Sequence, residues 1–289
     1  MLVHIKDIIT KAQTGKYAVG AFNTQNLETT IAIVRAAVAQ KSPVIIQVSE
    51  GTIKYAGLKP ITHIVQTIAK NESTNVPIAL HLDHGKSFLS ILECIKAGFS
   101  SIHLDGSELP YDENMALTEE AVAYAHKNGA WGQGELGTIL GKEGLIKREN
   151  KEIKNSDYMT DPNKAEEFIR KTKVDTLAIS IGNMHGMFVG QEKLDFKLLK
   201  KIHGKIRKPL VLHGASGIND REIKRAIKLG VRIINIDTHL RKNFTITLRQ
   251  TLNKNKTEID PRKILAPSID AVQKTVEQKI KLFGSANRA

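Results

Sequence analysis

Short apolar runs alternate with amphipathic segments along most of this chain. The runs are rich in β-branched residues, which is typical of strands buried on both faces, whereas the segments between them carry apolar residues at helical spacing. The apolar runs predict eight strands, at residues 17–23, 43–50, 77–82, 101–106, 130–137, 176–182, 208–214 and 231–238. The amphipathic segments predict helices at residues 27–40, 61–70, 87–97 and 114–128, and a further helix that begins at Asp161-Pro162.

Strands that alternate with helices favour parallel βαβ units closed into a (β/α)8 TIM barrel, an α/β fold. The 289 residues suit one such barrel, which typically needs about 250 residues. We therefore expect a single domain over residues 1–289, with the last helices and a C-terminal extension over residues 240–289. The alternative is an open doubly wound sheet, which usually carries a glycine-rich phosphate turn after its first strand. That turn here reads Asn23-Thr24-Gln25-Asn26.

The composition narrows the class of protein. Hydrophobic residues make up 41% of the chain and charged residues 25%, as in globular proteins that fold in water. The single cysteine, Cys94, excludes an intrachain disulfide and a cysteine-based metal cluster, and it fits a reducing, cytoplasmic compartment. The sequence has neither a signal-peptide pattern nor an apolar run that could cross a bilayer, so we expect no membrane partner.

The net charge of +13 raises the possibility of nucleic-acid binding. The lysines, however, are scattered through predicted helices, and aromatic residues make up only 5% of the chain. A solvated basic surface is therefore the preferred interpretation, and no nucleic-acid partner is expected.

Histidines followed by glycine stand at the ends of three predicted strands. His84 follows strand three, His185 lies just past strand six, and His213 ends strand seven. Functional residues of a barrel lie at the carboxyl ends of its strands, and three imidazoles with an open coordination position match a catalytic zinc centre. A fourth His-Gly pair, at His203, follows no predicted strand. The dipeptide is therefore not informative by itself, and it is the position at the end of a strand that indicates a metal site. The alternative is a polar barrel mouth without a metal.

Other strand ends carry acidic and anion-binding patterns. Asp105, Glu135 and Asp237 end strands four, five and eight. Residues 214–217 and 235–238 follow strands seven and eight, where barrels often bind phosphate through glycine-rich backbone and a helix N-terminus. The segment over residues 138–161 is predicted as a long loop, and it carries a carboxylate, Glu143, that could close over the site or belong to a charged surface loop.

These stretches resemble the class II (zinc-dependent) fructose-bisphosphate aldolase family, and in particular its short bacterial branch. The resemblance covers nearly the whole chain. Its most specific parts are His81-Leu82-Asp83-His84-Gly85, Asp105-Gly106-Ser107, Glu135-Leu136-Gly137, Asn183-Met184-His185-Gly186, and residues 209–217.

The resemblance implies roles for individual residues. His84, His185 and His213 would hold the catalytic zinc, Asp83 would transfer the proton of the substrate C4 hydroxyl, and Glu143 would handle the proton on the enediolate carbon. Asp105 and Glu135 match an alternative, noncatalytic metal site. The substrate-binding positions would be Asn23, Ser49, Gly186, Gly214, Ala215, Ser216, Asn235, Asp237, Thr238 and, from a neighbouring subunit, Arg262.

The implied activity is the reversible cleavage of fructose 1,6-bisphosphate to dihydroxyacetone phosphate and glyceraldehyde 3-phosphate, through a zinc-stabilised enediolate, in glycolysis and gluconeogenesis. The implied partners are sugar phosphates and further copies of the chain, in a homodimer or homotetramer, and a monovalent cation near the phosphate site is a further option. The chain departs from the family's usual pattern at residues 140–144 and at Val189.

Two other activities remain open at this point. A tagatose-1,6-bisphosphate aldolase or a related ketose-bisphosphate aldolase is the nearest, although members that act on tagatose tend to have alanine where Asp237 stands. A metal-dependent hydrolase on the same barrel usually has a His-x-His pair on its first strand, and here that strand ends in Phe22-Asn23.

Overall fold

The barrel consists of strands that lie close to the predicted positions. They are β1 (Val19–Asn23), β2 (Val44–Ser49), β3 (Ile78–Gly85), β4 (Ser101–Leu104), β5 (Trp131–Leu136), β7 (Thr176–Ile179), β9 (Leu210–Leu212) and β10 (Val231–Ile236). All neighbouring pairs are parallel, and the sheet closes in the order β1-β10-β9-β7-β5-β4-β3-β2. The predicted (β/α)8 barrel is therefore confirmed. This computed structural model describes residues 1–73, 75–146, 158–187 and 193–289, without the side chains of residues 142–146 and 187.

Helices follow the strands and form the outer layer of the molecule. They include each predicted helix, together with elements that the sequence pattern did not single out, among them α1, α3 and α8. Their bounds are α1 (Ile5–Gly15), α2 (Leu27–Ala39), α3 (Glu50–Ala56), α4 (Leu58–Glu72), α5 (Phe88–Lys96), α6 (Tyr111–Lys127), α7 (Pro162–Thr172), α8 (Phe196–Lys205), α9 (Asp220–Lys228), α10 (Thr238–Lys254) and α11 (Pro261–Phe283).

Side-chain caps fix where many of these helices begin. Asp161 accepts hydrogen bonds from the backbone N–H groups of Asn163 and Lys164, and proline follows it at the first helical position. Such a cap satisfies donors that have no partner inside the helix, and proline lacks one of them anyway. Similar caps come from Asn26, Ser49, Ser87, Asp195, Asn219 and Asp260.

The predicted loop over residues 138–161 contains a strand, which corrects that prediction. Strand β6 (Leu140–Ile146) pairs in parallel with β8 (Met184–Met187) and forms a small sheet outside the barrel. The glycine that made the segment look like a loop is needed for the pairing. Gly141 has a φ of 98°, and a Cβ there would lie 2.3 Å from the backbone oxygen of His185. Only the tertiary contact specifies this strand.

Helix α1 closes the amino-terminal end of the barrel. Its buried face packs against small and β-branched side chains inside the barrel, such as Ala21, Ala79 and Val211. The chain before α1 is tied to the start of β3, because Val3 N–H donates to the Ile78 oxygen at 2.9 Å. The opposite rim, where the strands end, is left for the polar residues.

The last two helices complete the outer layer. Helix α11 packs against both α10 and α2, and its buried side chains include Val272, Val276 and Ile280. The tail that follows is anchored to the turn after α2, since Asn287 N–H donates to the Gln40 oxygen at 2.9 Å. The helices of the described ranges include none that is long and apolar enough to cross a membrane.

Phe168 provides a test of the packing between the barrel and its outer layer. This side chain of α7 is fully buried, and a Cβ added to Gly134 of β5 would lie 2.8 Å from its ring. We expect Phe168→Ala to lower the free energy of unfolding by about 3–5 kcal/mol, because it leaves a cavity that neighbours cannot fill. Denaturant titration would measure this loss. The control Tyr55→Ala changes a side chain that is 78% exposed and should change stability by less than about 0.5 kcal/mol. Equal losses would contradict the packing described.

Candidate active site

A small polar pocket lies at the rim formed by the carboxyl ends of the barrel strands. Several loops meet there because parallel strands deliver all their carboxyl ends to one rim. Every residue that lines it is among the candidate site residues predicted from the sequence: Asn23, His185, Gly186, His213, Gly214, Ser216, Asn235, Asp237 and Thr238.

Three imidazoles meet beside this pocket. The Nε2 of His84 lies 3.0 Å from the Nδ1 of His213, and their ring centroids are 4.6 Å apart. The ring centroid of His185 lies 5.0 Å from that of His84 and 6.0 Å from that of His213. The structure thus brings the three predicted histidines together, with His84 and His213 closest.

Two of the three histidine rings, His185 and His213, are held in the neutral form. Burial lowers the pKa of His185 to about 3 and holds the pKa of His213 well below its usual range, and in both cases the nearby His84 adds to the effect. Metal ions bind imidazole in its neutral form. These two rings are therefore in the right protonation state for a metal at neutral pH.

Asp105 orients the His84 ring. The Nδ1 of His84 donates to the Oδ2 of Asp105 at 2.7 Å, which leaves the Nε2 to face His213. The ammonium of Lys86 also donates to that oxygen at 2.8 Å. Burial works to raise the pKa of Asp105, but the hydrogen bonds from His84 and Lys86 hold it well below its usual range. Asp105 is therefore an ionised carboxylate that orients the ring of a candidate metal ligand, an arrangement common in metalloproteins.

Asp83 is fully buried and held by amides from three other strands. Asn23 donates to its Oδ2 at 2.7 Å, while Gln47 and Asn235 donate to its Oδ1 at 3.3 and 3.4 Å. These bonds fix the carboxylate 3.9 Å from the Nε2 of His84, close enough to act on a molecule held beside that nitrogen. Buried amide oxygens of the same three residues have no hydrogen-bond partner within the described part of the chain.

A second group of possible ligands shares His84 with the three-histidine cluster. One ligand atom each from His84, His103, Asp105 and Glu135 lies within 4.8 Å of all the others, and a similar group links Asp83 and His213 to His84 and His103. Burial, followed by the charge of Asp105, raises the pKa of Glu135 to about 8. The Glu135 carboxyl is therefore protonated at neutral pH unless a cation replaces the proton.

Glycines and a helix N-terminus form the other wall of the pocket. Gly214 has a φ of 63°, and a Cβ there would lie 2.1 Å from the backbone oxygen of Met184, so only glycine fits. Ala215 is buried behind it, and the hydroxyl of Ser216 accepts a hydrogen bond from the His239 N–H in the first turn of α10. Because helix N-termini present backbone donors and a positive dipole end, this wall is suited to an anion.

Asp237 stands where β10 passes into α10. It is buried, and its Oδ1 accepts from Gln25 at 3.0 Å and from Arg241 at 2.7 Å. Burial raises its pKa, although Arg241 opposes that effect. The carboxyl group is thus held rigidly at the pocket wall.

Ser49 and Arg262, both predicted to bind the substrate, are not among the residues that line the pocket. Ser49 pairs with Asp83 across β2 and β3, and it caps α3. Arg262 is 89% exposed and forms an ion pair with Asp260 at 2.9 Å. The side chain of Glu143 lies outside the described residues, as does Val189.

The sequence interpretation missed His103, Gln47 and Gln133. Each stands two residues before a site residue assigned from the sequence, so on an extended chain the two side chains share a face. The run from Ser101 to Asp105 alternates polar and apolar residues, and glycine alternates with polar side chains around Gln133. This alternation with a period of two is the sequence pattern that could have identified these three residues.

Comparisons with known proteins agree with this geometry. The family model "Fructose-bisphosphate aldolase class-II" matches residues 3–288. A fructose-bisphosphate aldolase from Geobacillus stearothermophilus is 41% identical over 289 residues, which are 100% of this chain and 99% of that protein. One from Staphylococcus aureus is 39% identical over the same length, with the same coverage.

Solved structures give the same result. The YdjI aldolase from Escherichia coli K12 matches with a TM-score of 0.85 and 33% identity, over 100% of both chains. A fructose-bisphosphate aldolase from Campylobacter jejuni, at 24% identity, shares the fold with a TM-score of 0.82, over 100% of this chain and 97% of that one. On the family model and the full-length relatives, this chain belongs to the metal-dependent class II fructose-bisphosphate aldolase family.

Proposed function

We propose that this protein catalyses the reversible cleavage of fructose 1,6-bisphosphate to dihydroxyacetone phosphate and glyceraldehyde 3-phosphate, with zinc as its metal. The observation that carries the proposal is the approach of His84 Nε2 and His213 Nδ1 to 3.0 Å beside the buried carboxylate of Asp83. Such a grouping of imidazoles and a carboxylate suits metal-assisted chemistry at a polyhydroxylated substrate.

The donor set fits a zinc ion. With zinc–nitrogen bonds of about 2.0–2.1 Å, two tetrahedral ligands are separated by roughly 3.4 Å, so the two rings need to move apart by only a few tenths of an ångström. His84, His213 and His185 would hold the ion, and Asp105 would keep the His84 ring in the required orientation. When bound, zinc supplies Lewis acidity that stabilises negative charge on the ketose oxygens.

Asp83 is proposed as the base that removes the C4 hydroxyl proton when the C3–C4 bond breaks. The three amides that hold its carboxylate leave it no freedom to turn away, and the partnerless amide oxygens of Asn23, Gln47 and Asn235 are acceptors for substrate hydroxyls. Glu143 is proposed to exchange the proton at C3. Fixed groups of this kind lower the barrier by orientation as well as by proton transfer.

The first phosphate is proposed to bind at the glycine-rich wall. Gly186, Gly214, Ala215, Ser216 and Thr238 would contribute backbone and hydroxyl donors at the start of α10. Their position beside the imidazoles places the ketose end of the substrate at the metal. A monovalent cation near this phosphate is part of the proposal.

The second phosphate is proposed to reach Arg262 of a neighbouring copy, with Ser49 contacting the aldehyde end. Arg262 does not line the pocket of its own chain, and its guanidinium points to solvent beside Asp260. The proposed assembly is a homodimer or homotetramer, and cytoplasmic glycolysis and gluconeogenesis are its proposed setting.

Fructose is favoured over tagatose as the substrate. The full-length relatives described above are named fructose-bisphosphate aldolases, and Asp237 is present as a buried carboxyl group at the pocket wall. The two sugars differ only in stereochemistry at C4, so the choice depends on groups around the reacting hydroxyl.

Removal of the metal tests the function directly. Treatment with a chelator should abolish the cleavage of fructose 1,6-bisphosphate in a coupled assay, and added zinc should restore it, because the imidazole cluster then regains its Lewis acid. Tagatose 1,6-bisphosphate, assayed side by side, should be cleaved more slowly. Full activity in metal-free protein would refute the proposal, and faster cleavage of tagatose 1,6-bisphosphate would refute the substrate.

Substitution of Asp83 tests the proposed base. We expect Asp83→Ala to retain one zinc ion per chain and to lose about 10²–10⁴-fold in kcat. Zinc content by elemental analysis and steady-state kinetics would separate these effects. Asn75→Ala, at an exposed position away from the rim, is the control and should match the unsubstituted protein. A near-normal kcat for Asp83→Ala would assign the proton to another group.

Arg262 tests the shared site. Because a guanidinium binds phosphate through two parallel hydrogen bonds, Arg262→Ala should raise KM for the bisphosphate far more than KM for dihydroxyacetone phosphate in the reverse reaction. Arg249→Ala, an exposed arginine on α10, serves as the control for a loss of surface charge. Equal effects on both substrates, or a fully active monomer in analytical ultracentrifugation, would rule out this placement.

A further inference from the structure

We propose that His103 is a positioning residue for the metal ligand His84, and that it acts through the main chain. The Nδ1 of His103 accepts a hydrogen bond from the backbone N–H of His84 at 3.3 Å. This bond holds the local backbone turn that aims the His84 imidazole at His213. The inference rests on the metal site of the proposed function and adds a residue to it that the family resemblance did not assign.

The backbone around His84 is a bulge. Leu82 pairs with Ile102, but the next pair is Gly85 with Leu104, so β3 has one more residue than β4 between these pairs. The extra residue of a bulge has no place in the ladder of hydrogen bonds. His84 also has a φ of 51°, in the left-handed region that non-glycine residues seldom adopt. Such a conformation persists only where its surroundings hold it.

The His103 ring provides a hydrogen-bond acceptor for the backbone N–H of His84 in this bulge. It is fully buried on β4, directly across from the bulge, and its centroid lies 4.9 Å from that of His84. An imidazole that accepts a hydrogen bond at Nδ1 carries its proton on Nε2.

That tautomer distinguishes positioning from direct ligation. The Nε2 of His103 faces the Oε2 of Glu135 at 3.6 Å, and neither atom has a hydrogen-bond partner among the described residues. A protonated Nε2 has no lone pair for a metal, although His103 lies close enough to both candidate ligand groups to be counted in each. The hydrogen bond to His84 therefore favours a role in orientation.

Two substitutions distinguish the roles of the two ring nitrogens of His103. In His103→Asn, the side-chain oxygen occupies the place of Nδ1 and can still accept from the His84 N–H, whereas the Nε2 end is lost. In His103→Gln, the amide reaches toward the place of Nε2 and leaves the His84 N–H without its acceptor. Both changes replace a buried imidazole with a smaller amide side chain, so each serves as the packing control for the other.

Metal affinity is the main measurement. Apo protein is titrated with zinc against a competing chelator, and the visible absorption bands of the cobalt-substituted protein report the ligand geometry. We expect His103→Gln to weaken zinc binding by about 10–100-fold, the range for loss of a group that orients a metal ligand, and to shift the cobalt bands. His103→Asn should remain within about threefold of the unsubstituted protein with unchanged bands.

The other outcomes decide against the inference. Equal weakening by both substitutions would mean direct ligation or simple packing, and unchanged affinity in both would mean no role. If His103→Gln does not fold, His103→Ala replaces it and should bind zinc as weakly as expected for His103→Gln. Failure of the unsubstituted protein to bind zinc would overturn the metal site and this inference together, whereas zinc binding without cleavage of the bisphosphate would overturn the proposed function alone.

Discussion

Closure of a parallel barrel is the constraint on which the rest of this structure depends. Once eight parallel strands form a closed sheet, every strand has its carboxyl end at one rim, and α1 fills the other end with apolar side chains. Polar residues that are more than a hundred positions apart, such as His84 and His213, then meet at hydrogen-bond distance. The packing of the outer helices stabilises the closed sheet, and so the site depends on residues like Phe168 that never approach it.

The periodicity of the sequence was sufficient for the barrel but not for every residue of the site. Apolar runs located the strands, and the residues at their ends, together with those that the family resemblance assigned, included every residue that lines the pocket. The runs are apolar on both faces, however, and a buried histidine within one, such as His103, looks like part of the strand. Strand β6 was missed because its pairing partner is distant in sequence, and Arg262 was assigned by resemblance alone.

The protonation states of the two carboxyl groups at the rim depend on the groups that surround each of them. Asp105 is ionised because His84 and Lys86 donate to it, whereas Glu135 is more deeply buried and lies near the charge of Asp105, which raises its pKa to about 8. Both carboxyl groups were assigned from the sequence to one alternative metal site. The structure gives them different protonation states, which no pattern of residues could have shown.

This difference bears on where a metal ion would settle. An ion at the group of His84, His103, Asp105 and Glu135 would have to displace the proton of Glu135 and share Asp105 with the Lys86 ammonium. It would also need a lone pair on His103 Nε2, which the hydrogen bond from the His84 N–H disfavours. An ion beside His84 Nε2 and His213 Nδ1 leaves Asp105 in place as the group that orients His84. At neutral pH we therefore expect a metal ion to prefer the position beside His84 Nε2 and His213 Nδ1, which adjoins the polar pocket.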